Sequence, residues 1–347
     1  MPALPTAYIT PMSFMAFDIS ELLTNNPWRY DIEIEILPVF ATPMPRMPYI
    51  DPDFPIRGLS ADELTEKAAE AANTLGLDID DADVTLNSTY NFFRSFFMDD
   101  PYDDMPMNVS AVWNNSDVEI RIVAGSHSVA VNFGDPLGEG LKLPNGIRFT
   151  DDATEEQKLD AVKFLLYTYA DFVAMDSPVI SLFTEYGFYG ERFTRFHVFD
   201  DSGSLVDRIL SYNWGNVRFT PSSRGEGLWG IFRGSDNLQP LKIGEYPIIT
   251  VAEARELLLL RGDHITWMST GQFDEEMIEE HIAHVELVYR SESFGGEVFM
   301  PFYRFFIEME VHPRQHEAGL KGWSVHYIPA VRGEFLCDTY ILEYWRD

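Results

Sequence analysis

Cysteine is almost missing from this chain: Cys337 is the single one among 347 residues. One thiol excludes an internal disulfide framework and any zinc site built on cysteines. Set in "EFLCDTY", it reads as a small buried hydrophobe. Long apolar runs are missing too, and without about 18 consecutive apolar residues no helix is expected to span a membrane. No basic stretch followed by an apolar core marks a signal peptide. The proline-bearing opening "MPALPTAYITPMSFM" suits a mature chain whose leader was removed. Basic residues are scarce, 25 Lys and Arg against 56 Asp and Glu, for a formal charge of −31. Such a field repels phosphate backbones and anionic lipid surfaces, so nucleic acid is disfavoured as a partner. Cationic targets, divalent cations and neutral glycans remain.

Nucleophile and phosphate motifs are also wanting. "GWSVH" holds Ser324 without the closing glycine of a nucleophile elbow, and its alternation reads as strand. "FGDPLGEGLKLPNG" has glycines but no Lys-Ser/Thr ending. "LDIDDADVTLN" opens like a calcium loop at Asp78 and Asp80. Asp83 then stands where the loop needs glycine, and Thr89 where it needs glutamate. "FMDDPYDDM" places Asp99, Asp100, Asp103 and Asp104 around Pro101, and reads as a solvated acidic loop.

What is present is a set of helix starts. Ser60–Glu63, Thr154–Gln157 and Thr250–Glu253 each carry a hydroxyl followed three residues later by Glu or Gln, the capping-box pattern. Behind them Leu64, Ala68, Ala72 and Leu75 form one apolar stripe. Leu159, Val162, Leu166 and Tyr169 form a second, and Val251, Ala254, Leu257 and Leu258 a third. Gly76 and Gly262 sit where left-handed C-caps belong.

Elsewhere the period is two. "YDIEIEILPVF" (30–40) alternates, "SAVWNNSDVEIRIVAG" predicts a hairpin turning at Asn114–Asp117, and "ERFTRFHVFDDSGSLVDRILSYNW" a second turning at Asp201–Gly203. "AHVELVYRSES", "VFMPFYRFFIEMEV" and "GWSVHYIPAV" predict three long strands. In the middle one Phe299, Tyr303, Phe305, Ile307 and Met309 share a face, with Arg304, Glu308 and Glu310 on the other. Short connections and few helices imply an α+β fold in two modules, antiparallel meanders each packed by an amphipathic helix. The chain length agrees with about two domains. Pro43, Pro45, Pro48, Pro52 and Pro55 make residues 41–58 an irregular strap. The predicted division is an N-terminal strand and strap (1–57), a two-helix module (58–240) and a helix-plus-meander module (241–347), with the junction in the irregular stretch 222–247.

Candidate ligand groups are few. In "EEHIAHVE", His281 and His284 would share a helical face at i, i+3 with Glu286 close by, a weak zinc candidate. The zincin arrangement, with Glu between the histidines, is absent. The following "VELVY" alternates as a strand, which would separate the pair. His312 and His316 flank Pro313 in a predicted loop. Trp214, Trp229 and Trp267 lie in or beside predicted turns, where an indole face stacks on a sugar ring or grips a peptide.

"YPIITVAEARELLLLRGDH" and the three strands after it resemble the helix-plus-meander modules of PepSY-like proteins. The likeness is to variants in extracytoplasmic lipoproteins of Gram-positive bacteria, over residues 244–331. Thr250, Glu253 and Ala254 match the module's helix entry, and Tyr327, Pro329 and Ala330 its closing strand. The resemblance implies a non-enzymatic binding or regulatory protein, secreted or lipid-anchored, without cofactor, acting on an envelope protein or peptide. A carbohydrate-binding module using the three tryptophans is the alternative, and a metal-dependent hydrolase comes third.

Overall fold

The computed structural model describes residues 1, 3–6, 12–23, 25–41, 59–87, 108–114, 117–124, 127–134, 140–144, 146–149, 153–188, 190–222, 227–234, 242–260, 279–290 and 298–338. Its first elements are β1 (Leu4–Thr6), β2 (Met12–Ala16), β3 (Ile36–Ala41), α1 (Ala61–Thr74), β4 (Asp83–Asn87), β5 (Asn108–Trp113), β6 (Val118–Val123), β7 (Val129–Phe133), β8 (Leu141–Lys142), α2 (Glu155–Thr168) and α3 (Ala170–Val173). Then follow β9 (Pro178–Tyr186), β10 (Arg192–Asp200), α4 (Leu205–Asn213), β11 (Val217–Pro221), β12 (Gly227–Arg233), β13 (Lys242–Pro247), α5 (Val251–Leu260), β14 (Ile282–Arg290), β15 (Val298–Met309), α6 (Pro313–Glu317), β16 (Lys321–Pro329) and β17 (Leu336–Asp338). The fold is α+β, with two antiparallel sheets each packed by helices. No helix among the described residues is long and apolar enough to cross a membrane.

All three predicted caps form. The Ser60, Thr154 and Thr250 hydroxyls accept the N3 backbone N–H, and Glu63, Gln157 and Glu253 return to the cap N–H. Those bonds hold the Glu63 and Glu253 carboxyls below their ordinary values. At the end of α1, Gly76 has φ +72°, the left-handed conformation glycine adopts freely. Gly262 lies outside the described residues. The stripe of α2 is rotated from expectation: Lys158, Ala161, Val162 and Leu165 are buried, with Leu159, Leu166 and Tyr169 at its margin.

One predicted strand is a helix. After β10 the chain enters α4, where the Ser204 hydroxyl accepts from Asp207 N and Asp207 returns to Ser204 N. Asp in place of Glu at N3 hid the box. Apolar residues at 205, 209 and 212 make a helical face, while those at 206, 210, 212 and 214 mimic alternation. β10 instead pairs with β9 over its whole length, a strand the sequence reading passed over. Ser204→Ala should lower stability by about 0.5–2 kcal/mol in urea unfolding. An unchanged midpoint would show the cap to be idle.

The first sheet runs β4-β5-β6-β7-β12-β11-β10-β9, with β8 on β12. The β5–β6 hairpin turns where expected. Helices α1, α2 and α3 cover one face around Trp113, Ile120, Val131, Val198 and Phe219. Contrary to the irregular reading of 222–247, that stretch contains both β12 and β13, which belong to different sheets.

The second sheet runs β13-β3-β15-β16-β2, with β14 on the other edge of β15. The early strands β2 and β3 therefore fold into the same sheet as β13, β14, β15 and β16. β1 adds a short parallel pair with β17. The alternating "YDIEIEI" forms strand only from Ile36. Ile32 and Ile34 pack inward from an extended approach, whereas Ile36 is exposed and Leu37 takes the buried position. β15 is covered on both sides. Phe299, Tyr303, Phe305 and Ile307 meet α4 and α5, while Met300, Phe302 and Phe306 face Leu4, Leu22 and Trp323.

Candidate functional site

Pairing of β14 with β15 sets Glu286 directly opposite Arg304, and pairing of β15 with β16 sets Arg304 opposite Tyr327. Glu286 is only 3% exposed. Arg304 Nε donates to its Oε2 at 3.0 Å and Nη2 contacts the same oxygen, while His284 Nε2 stands 3.7 Å from Oε1. Burial alone would raise the Glu286 carboxyl. The Arg304 charge and hydrogen bonds from His284 and Arg304 outweigh it and hold the group below its ordinary value. Tyr212 reaches the same pair from α4, its hydroxyl pushed upward by burial and by the Glu286 charge. The cluster thus ties α4, which follows a strand of the first sheet, to the edge strand of the second.

His284 and Glu286 are therefore neighbours, but not as two arms of a helical metal site. His281 precedes β14, and a register shift between Ile282 and His284 separates the histidines. Among the described residues no group of three His, Cys, Asp or Glu is placed to hold a metal ion. The guanidinium at 3.0 Å already neutralises the carboxylate a dication would need.

Trp214 and Trp229 are not exposed loop rings. Trp214 follows the last turn of α4 and packs edge-on against Phe299 at 4.2 Å. Trp229 lies inside β12, where the register against β11 slips so that Thr220 faces Gly230 and Pro221 faces Leu228. Both are half-buried, and neither indole Nε1 has a hydrogen-bond partner among the described residues. The turn-like "GLWGIF" misled because its glycines serve a bulged strand. Trp267 lies outside the described residues. Instead of flanking Pro313 in a loop, His312 caps α6 and His316 lies within it, with Pro313 as the helix's first residue.

Next to Tyr212, centroids 5.7 Å apart, lies the ring of His197. Burial, with the charge of Arg218, lowers its pKa to about 4 against a hydrogen bond to Asn216 that raises it. The native state keeps this imidazole neutral while the unfolded chain binds the proton. Stability should accordingly be lost as pH falls from 6.5 towards about 4. A His197→Gln variant, followed by urea midpoint against pH, should show a flatter profile in that window. Parallel profiles would place the titration elsewhere.

A second feature is an exposed aromatic surface that sequence reading missed. Phe17, just after β2, is 46% exposed and meets Tyr186 edge-on at 4.9 Å. Phe188, also 46% exposed, lies in the β9–β10 turn with its ring 5.5 Å from His312. Phe193 is 49% exposed and lies against Gly187. Tyr186 donates to Glu21 at 3.1 Å, which locks the turn to the N-terminal segment. Segments around residues 17, 188 and 312 thus converge from both sheets. The one signal in the sequence was "YGFYGERF", a turn whose glycines bracket an aromatic pair.

No protein-family model matches the chain, and no curated protein matches it significantly. Among solved structures, an uncharacterized protein from Eubacterium rectale is similar over 86% of this chain and 85% of its own, with 9% identity and a TM-score of 0.40.

Proposed function

We propose that the chain is a non-enzymatic binding or regulatory protein working through protein contacts, with the aromatic surface around Phe17, Phe188 and Phe193 as its contact face. The observation that carries this reading is three large rings, each nearly half exposed, in and beside the β9–β10 turn and in the segment after β2 that meets Tyr186. Single exposed hydrophobics are ordinary, whereas grouped ones mark interaction sites. The PepSY-like order of elements over 244–331 supports the same class and an extracytoplasmic setting, with an envelope protein or peptide as partner.

The test compares the full chain with a Phe17→Ala/Phe188→Ala/Phe193→Ala variant for retention of envelope proteins and of immobilised glycans. Protein retention that disappears in the variant is the expected result. Glycan retention that disappears only on changing Trp214 or Trp229 would favour the carbohydrate module, and turnover of a hydrolase substrate would overturn both.

A further inference from the structure

Resting on that reading, we infer that the aromatic surface takes a cationic segment of its partner, one bearing arginines whose guanidinium groups stack on the exposed rings of Phe17, Phe188 and Phe193. The first argument is charge. The chain carries −31 formal charges, so an approaching cationic segment is drawn in and an acidic one repelled. The second is local. Carboxylates lie beside two of the rings: Glu21 accepts from the Phe17 backbone N–H at 2.7 Å, and the Glu191 carboxylate lies with the Phe193 ring against Gly187. The nearby cations of β10 are each paired at the surface, Arg195 at 2.7 Å from Glu185 and Arg192 on the Thr184 hydroxyl and Glu155, and Lys321 lies near Asp18. A ring face rimmed by carboxylates attracts a cation twice, through its quadrupole and through the fixed charge.

Arginine suits this surface better than lysine. Its guanidinium is planar, weakly hydrated, and stacks on a ring while its N–H groups still reach a carboxylate. The protein uses the same contact within its own fold, where Arg290 lies 4.1 Å above the Tyr327 ring and Arg218 4.1 Å above Phe232.

The experiment titrates labelled peptides into the full chain at low and high salt, followed by fluorescence anisotropy. One peptide alternates arginine with small polar residues, its twin has lysine at those positions, and a third carries leucine there. The arginine peptide should bind tightest and weaken with salt. In the Phe17→Ala/Phe188→Ala/Phe193→Ala variant it should bind about tenfold more weakly. A companion variant with leucine at the three positions keeps apolar area and fold but removes the ring quadrupole. It should lose the preference for arginine over lysine. Arginine and lysine peptides bound equally, and equally by all three proteins, would reduce the effect to bulk charge and overturn the inference. Tight binding of the leucine peptide alone, lost in the alanine variant, would keep this surface as a protein contact while overturning its cationic partner. Binding of none of the peptides would also overturn the inference, and the envelope-protein retention assay would then decide whether the contact face itself stands.

Discussion

Replacing Arg304 with methionine is expected to destabilise the protein by about 3–5 kcal/mol, because it leaves the Glu286 carboxylate buried without its cation. Glu286 is 3% exposed, between Val288 and the aromatic side chains of β15 and β16. Equilibrium urea unfolding checks the value, and a loss under about 1 kcal/mol would show the pair to behave as a solvated surface bridge. Adding Glu286→Leu to the variant should recover most of the loss, since a well-packed apolar pair often equals or exceeds a buried ion pair.

The pH dependence separates the two proteins further. In the wild type the Glu286 carboxyl is held below its ordinary value of 4.5. Its contribution is thus present above that value and lost as pH falls through the lower, folded one. In Arg304→Met the guanidinium's charge and hydrogen bond are lost, and burial, which raises the carboxyl, is opposed by His284 alone. The variant then gains a proton on folding, and its deficit should shrink as pH is lowered. Converging acid limbs are the expected outcome, whereas a deficit that stays constant would mean that Glu286 is not its source.

That pair was only half legible in the sequence. Glu286 was visible as a candidate ligand near His284, and Arg304 as a charged position on the polar side of its strand. What joined them was the register between β14 and β15, which no local pattern encodes. The capped helices α1, α2 and α5 were readable because hydroxyl, acid and stripe lie within a few residues of one another. The pairing of β2 with β16 was not, since Met12 and Val325 are brought together only by the tertiary fold. The aromatic surface failed for the same reason: Phe17, Phe188 and His312 are ordinary residues until three distant segments meet. Local alternation also mistook α4 for a strand, because a nine-residue helix offers barely two turns in which the two periods can diverge.

β15 supplies the sharpest contrast between a one-sided and a two-sided strand. The sequence reading gave it an apolar face of Phe299, Tyr303, Phe305, Ile307 and Met309, opposed by Arg304, Glu308 and Glu310. On that reading Phe306 sits among charged residues, and its truncation would cost little. In the structure Phe306 is 2% exposed, paired with Val325 on β16 and packed with Phe14 at 6.3 Å and the His284 ring at 5.9 Å. Arg304 lies over its face, 5.2 Å from the centroid, so the charged neighbour is itself part of the packing. Phe306→Ala is therefore expected to cost about 3–5 kcal/mol, as much as Phe305→Ala on the opposite face, since both remove a full ring and leave a cavity. Thermal and urea unfolding of the two variants in parallel measure the comparison. A Phe306→Ala protein as stable as the wild type, beside a strongly weakened Phe305→Ala, would restore the one-sided strand and remove the packed face on which the Glu286–Arg304 pair depends.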